Sequence, residues 1–250
     1  MLGLCIGWVG WRLWRTVDAV NAATREHNSA NAMVRSIAPR LLYSWPVLEE
    51  LETDIREIAE KWGLEVTDEM LNQVCRYLRL LLVWNQSVNL TGAASLADLV
   101  CDHLPDSFAL ARLTPAGAQV VDVGSGGGLP AIPFAVLRPD CMTTLVEPRA
   151  KRVAFLNAAK RELNCHGVTV IRGRIEDVAD ASFDVAASRA TFSPADWLKQ
   201  AQRLVCAGGR CIVFSTCSVG IAEAGAQLVE ELTYRTKNGA PRWLGAYCFT

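Results

Sequence analysis

One stretch limits what this chain can become: Q-V-V-D-V-G-S-G-G-G-L-P, residues 119–130. Val120, Val121 and Val123 are β-branched and predict a short buried strand. Gly124, Gly126, Gly127 and Gly128 follow within five positions, and glycine lets a backbone turn tightly and approach a ligand closely. L-P-A-I-P-F-A-V-L then predicts a helix, with Pro130 in its first turn. Strand, glycine turn and helix in that order are expected to present free backbone N–H groups and a helix N-terminus to an anionic group.

The same alternation continues downstream. Strands are expected at 119–123, 143–147, 168–172, 183–188 and 210–215, and helices at 130–138, 149–163, 194–205 and 219–231. Ser193-Pro194 is a cap-plus-first-turn start for the third helix. Residues 232–249 predict two more strands in an antiparallel hairpin. Strand–helix alternation means an α/β fold with a mostly parallel, doubly wound sheet. Ahead of it, Leu48, Leu51, Ile55, Ile58 and Trp62 recur at helical steps, and Gly63 ends that helix. Thr67 caps a long second helix carrying Leu71, Val74, Leu78, Leu81 and Val88. Ser95 and Asp98 have the spacing of a capping box for a short third helix. Three regions result: a poorly ordered leader at 1–45, a helical appendage at 46–116, and a Rossmann-like domain at 117–250.

The leader is apolar and Trp-rich from Leu2 to Trp14, but Arg12 and Arg15 interrupt it before the ~18 residues of a membrane span. Translation starting at Met33 is an alternative reading. With 51% hydrophobic residues and a formal net charge of −1 over 250 residues, a sizeable core is expected and a strongly basic nucleic-acid coat is not. The nine cysteines lack a C-x-x-C pair, which suits a reducing cytoplasm. His27, His103 and His166 form no cluster with metal-ligand spacing, so no metal is expected.

In open α/β sheets, ligands lie beyond the carboxyl ends of the strands. Glu147 ends the second strand, about 20 residues after the glycines, where an acid accepts hydrogen bonds from ribose hydroxyls. After the third strand, Arg172-Gly173-Arg174-Ile175-Glu176-Asp177 forms a loop that can line an adenine. Arg189 ends the fourth strand beside the glycine turn, where a guanidinium can hold a carboxylate or a phosphate. Ser188-Arg189-Ala190-Thr191 at that strand end contains no Asn or Asp followed by Pro-Pro-aromatic.

The dinucleotide fingerprint would need glycine at 129, where Leu129 stands. Asp122-x-Gly124-x-Gly126-x-Gly128 instead resembles motif I of class I S-adenosylmethionine-dependent methyltransferases, whose glycine turn passes under the methionine part of the cofactor. L-L-V-W-N-Q-S-V-N-L-T (81–91), D-H-L-P-D-S (102–107), V-D-V-G-S-G-G-G-L-P-A-I-P (121–133), K-R-V-A-F-L (151–156), G-R-I-E-D (173–177) and S-R-A (188–190) together resemble the guanine-N7 methyltransferases of small-subunit (16S) ribosomal RNA. That family was formerly called glucose-inhibited division protein B. The W-N…N-L-T and H-x-x-D-S elements lie outside the general methyltransferase core and are the specific part.

The resemblance implies S-adenosyl-L-methionine as cofactor and 16S ribosomal RNA or the small subunit as partner. It implies no membrane and a cytoplasmic location; a monomer is expected, the sequence itself leaving the oligomeric state open. The implied cofactor residues are Asp122, Gly124, Ser125, Gly126, Gly128, Leu129, Glu147, Ile175, Glu176 and Arg189. Arg189 is also the implied catalytic positioning residue, with no general base. His103, Asp106 and Ser107 match the motif bordering the site, and His103, Arg174 and Arg242 are implied to meet the RNA. Two positions depart from the family pattern. Phe214-Ser215-Thr216 replaces the usual Lys-Gly after strand five, and Glu147-Pro148 replaces an Asp-Ser pair. A methyltransferase of a small molecule or a protein, or an inactive cofactor-binding homologue, remains open on the sequence.

Overall fold

The computed structural model describes residues 45–219, 225–236 and 238–249. The expectations for a leader at 1–45 and for a start at Met33 lie outside the described residues, Trp45 excepted. Helix α1 (Trp45–Trp62) buries Leu51, Ile55 and Ala59. It ends where Gly63 takes φ +62° and its N–H reaches the Glu60 carbonyl. Helix α2 (Asp68–Val88) starts on Thr67, whose hydroxyl accepts from the Met70 N–H at 3.2 Å. It buries Leu71, Val74, Leu78, Leu81 and Trp84.

The capping box forms as its spacing predicts. The Ser95 hydroxyl accepts from the Asp98 N–H, and the Asp98 carboxylate accepts from the Ser95 N–H. From it, α3 (Leu96–Asp98) passes through a π-helical turn (Leu99–His103) into α4 (Leu104–Leu113). The sequence reading did not anticipate α4. That helix is buried along nearly its whole length, including Asp106 and Ser107.

The sheet contains β1 (Gln119–Val123), β2 (Met142–Val146), β3 (Val168–Ile171), β4 (Phe183–Ser188), β5 (Val205–Ser215), β6 (Ala226–Arg235) and β7 (Pro241–Phe249), in the order β3-β2-β1-β4-β5-β7-β6. β1 to β5 pair in parallel and β7 runs antiparallel between β5 and β6. Helices α5 (Ala131–Leu137), α6 (Ala150–Glu162) and α7 (Pro194–Ala201) complete the crossovers. Alternation along β1 divides the core. Val120 packs with Phe134, Leu110 and Ile212 on one face, and Val121 and Val123 pack with Trp197 and Val213 on the other. Strand order reverses between β2–β1 and β4, so the crevice beyond β1 and β4 is the topological switch point.

Two expectations fail here. The helix expected at 219–231 is not formed over 226–231, which belong to β6. Pairing with β7 runs from Ala226 to Arg235 and packs Leu232 and Tyr234 against the core, which outweighs the helical preference of Ala, Glu and Leu. The helix expected at 194–205 stops at Ala201, and β5 begins already at Val205.

Candidate active site at the carboxyl ends of β1, β2 and β4

The glycine turn is tightly packed at Gly124 and Gly127. Gly124 takes φ +78°, and a Cβ there would lie 2.2 Å from the Thr191 hydroxyl. The loop leaving β4 therefore lies directly on the turn. Gly127 has ordinary φ, but a Cβ would come within 3.0 Å of the Leu90 carbonyl and 3.1 Å of Leu81. The Tyr77 hydroxyl, fully buried, donates to the Gly127 carbonyl at 2.6 Å.

The Asn85 side chain shapes the segment that brings Leu90 to the turn. Its Oδ1 accepts from the Leu90 and Thr91 N–H groups at 2.7 and 3.0 Å, and its amide donates to the Thr91 and Ala93 carbonyls. Asn89 supplies the left-handed cap at φ 50°. W-N…N-L-T is thus a device for seating the end of α2 on the glycines.

The expectation that the turn offers free N–H groups to an anion fails at Gly124, Ser125, Gly126 and Gly128. The Gly124 and Ser125 N–H groups donate to the Val146 carbonyl at 2.8 and 3.1 Å, and Gly128 donates to Ser125. The Gly126 N–H donates to Glu147 at 3.0 Å. Backbone donors that sit against the end of β2 are satisfied there, so the turn offers close approach rather than an anion cradle.

The donor set is instead acidic. Asp122 is buried on β1, and its Oδ2 has no hydrogen-bond partner. Burial pushes its carboxyl up to about 7, opposed by the Ser125 hydroxyl and the Arg189 charge. Glu147 is also buried. Its oxygens accept one N–H each, from Gly126 and from Arg149, which leaves acceptor capacity on both. Arg152 on α6 lies 3.8 Å from Glu147 and donates to the Asn89 carbonyl, tying the appendage to β2. A Cβ at Gly126 would meet nothing nearer than 3.6 Å. Two carboxyl groups with spare hydrogen-bonding sites beside an open glycine fit a ligand that carries hydroxyls, as a nucleoside sulfonium does.

Arg189 leaves β4 beside this crevice, where the Ser188 hydroxyl is fixed to the Val123 carbonyl at 2.8 Å. Its guanidinium points at the appendage. Nη1 is 2.5 Å from Asp106 Oδ2, and Nη2 is 3.0 Å from His103 Nδ1. A guanidinium only donates, so His103 Nδ1 holds the lone pair and the ring is the Nε2–H tautomer. Burial, and next the Arg189 charge, lower the His103 pKa, in keeping with a neutral ring. The other Asp106 oxygen accepts the Tyr234 hydroxyl from β6 and lies 4.0 Å from Arg242 Nε on β7. The structure therefore gathers His103, Asp106, Arg189 and Arg242 around one buried carboxylate.

Ile175 is buried at the start of a 3₁₀ turn, with Glu176 and Arg174 exposed beside it. Arg174 contributes its backbone N–H to Asp177, and its side chain faces solvent apart from the Asp106 cluster. Leu129 is nearly buried behind the turn. Sequence reasoning missed Tyr234, Tyr77, Asn85 as a loop organiser and Arg152. No local pattern marks Tyr234, which stands 128 residues from Asp106.

Comparison with known proteins shows the family of this chain. The GidB family model, described as rRNA small subunit methyltransferase G, matches residues 70–219, more than half of the chain. A ribosomal RNA small subunit methyltransferase G of Neisseria meningitidis serogroup C (strain 053442) is 38% identical over 147 residues, covering 59% of this chain and 71% of that protein. The protein of the same name from Methylobacillus flagellatus is 36% identical over 162 residues, covering 64% and 77%. The crystal structure of a SAM-dependent methyltransferase from Aquifex aeolicus aligns with TM-score 0.48 and 12% identity, covering 61% of this chain and 93% of that one.

Proposed function

Because the chain belongs to the rRNA small subunit methyltransferase G family, we propose that it methylates N7 of a guanine in 16S ribosomal RNA, with S-adenosylmethionine as methyl donor. The observation that carries the reading is the Arg189–Asp106–His103 cluster. It joins the family-specific D-H-L-P-D-S motif to the strand end beside the glycine turn.

When bound, S-adenosylmethionine supplies an electrophilic methyl group on its sulfonium. Gly124, Ser125, Gly126, Gly128 and Leu129 form the floor that lets it approach the backbone. Asp122 and Glu147 supply acceptors, Glu147 for the ribose hydroxyls. Ile175 gives an apolar wall for the adenine, with Glu176 at its edge. Guanine N7 has an available lone pair and no proton to lose, so the protein needs no general base. Its work is orientation, which can lower a barrier by several kcal/mol. Arg189 performs this work, held at two points so that its fork keeps one plane. His103, Arg174 and Arg242 line the approach of the RNA, whose guanine is cheapest to present from an unpaired loop. Among the described residues no helix is long and apolar enough to cross a membrane. The ribosomal RNA substrate of this reading would have the protein work in the cytoplasm.

The test is mass mapping of 16S ribosomal RNA from cells with and without this protein, followed by methylation of the unmodified 30S particle in vitro. A protein-dependent N7-methylguanine is expected. Cofactor binding without any methyl transfer to RNA would refute the reading.

A further inference from the structure

We propose that Tyr234 is a positioning residue for Arg189, acting through Asp106. The inference rests on the role given to Arg189 above. Asp106 is only 3% exposed, and a carboxylate so buried is tolerable only when both oxygens are satisfied. One oxygen holds Arg189 and the other takes the Tyr234 hydroxyl. Arg242 Nε, at 4.0 Å, is too distant to replace that hydroxyl by a hydrogen bond.

Remove the hydroxyl and the Asp106 carboxylate is free to rotate toward Arg242. The Arg189 fork would then keep one fixed point, His103, in place of two. Tyr234 suits this task for two reasons. Its ring is set edge-on against Trp62 at 5.2 Å between centroids, which fixes where the hydroxyl lies. Burial, and next the Asp106 charge, raise its pKa, so the group stays a donor throughout the working range of pH. The residue comes from β6, an edge strand of the sheet, and its hydrogen bond to the cluster is made to Asp106.

Tyr234→Phe keeps the ring and deletes the donor. The experiment measures single-turnover methylation of the unmodified 30S particle and S-adenosylmethionine affinity. Both are read in the wild-type and in the Arg189→Ala background, with thermal unfolding as the check on fold. The expected result is a transfer rate about tenfold lower with cofactor affinity unchanged, and no further loss when Arg189 is already Ala. A purely structural hydrogen bond would instead lower the rate by the same factor in both backgrounds, and that outcome overturns the inference. A Tyr234→Phe rate within about twofold of wild type beside a slow Arg189→Ala overturns this inference alone. A normal rate in Arg189→Ala overturns the reading of Arg189 and this inference with it. Should Tyr234→Phe unfold, the same cycle is run with Asp106→Asn, where additivity with Arg189→Ala is again the refuting result.

Discussion

Replacing Asp122 by Asn should remove a pH dependence of stability that is otherwise built into the first strand. The carboxyl is buried with Oδ2 unpartnered, and burial raises it from 3.8 to about 7. The fold therefore favours the protonated form, and between about 4 and about 7 the folded state holds more protons on this group than the unfolded chain. The stabilisation from that proton is full below about 4 and is lost as pH rises through about 7. Between about pH 5 and about pH 8.5 the linkage amounts to about 3 kcal/mol. Other titrating groups overlap this window, so the quantity to read is the difference between wild type and Asp122→Asn. Urea unfolding of the ligand-free protein at a series of pH values gives it directly. Wild type should lose about 3 kcal/mol relative to the variant over that span, at similar m-value. A difference that stays flat with pH would refute the argument, because it would mean that the carboxylate keeps an ordinary pKa and finds a partner or water in solution.

Asn85→Ala should cost about 2–4 kcal/mol in urea unfolding, since it strands the Leu90 and Thr91 N–H groups together, and it should weaken cofactor binding in calorimetry. Gly124→Ala should lower stability by about 2 kcal/mol or more and abolish cofactor binding, because its Cβ meets Thr191 and its φ is +78°. Arg189→Ala should slow single-turnover methylation by about a hundredfold. Arg174→Ala should leave that rate intact at saturating RNA, while reducing the salt slope of RNA binding by about one phosphate contact.

Much of this architecture is legible in the sequence for local reasons. β1, β2 and β3 are rich in Val, Ile and Thr, and Thr67, Ser95 and Gly63 act as helix punctuation within a few residues of what they cap. What stayed hidden is set by distant partners. β6 has the Ala, Glu and Leu content of a helix and becomes a strand only because β7 offers it a full ladder. The glycine turn looks like a source of free amides until the end of β2 is placed against it, where Val146 and Glu147 take them. Arg189 could be assigned to the strand end, but not its orientation, which depends on Asp106, 83 residues earlier.

Gly127 shows how far the appendage is part of the site. The acid-x-Gly-x-Gly-x-Gly pattern uses Gly124, Gly126 and Gly128, and each has positive φ. Gly127 falls outside that pattern, and its φ imposes no need for glycine. The pressure for glycine comes from the Leu90 carbonyl at 3.0 Å and Leu81 at 3.1 Å, which a Cβ would crowd. Leu90 is held there by Asn85, Tyr77 pins the Gly127 carbonyl from the same helix, and Arg152 returns from α6 to the Asn89 carbonyl. Tyr77 thus fixes α2 to the glycine turn directly, Asn85 and Arg152 fix the segment that follows α2, and Asp106 on α4 fixes the arginine beside it. A helical element added only to grip RNA would have no reason to dictate a residue inside the glycine turn. Its motifs instead form one wall of the crevice beside the glycine turn and hold the arginine at the end of β4.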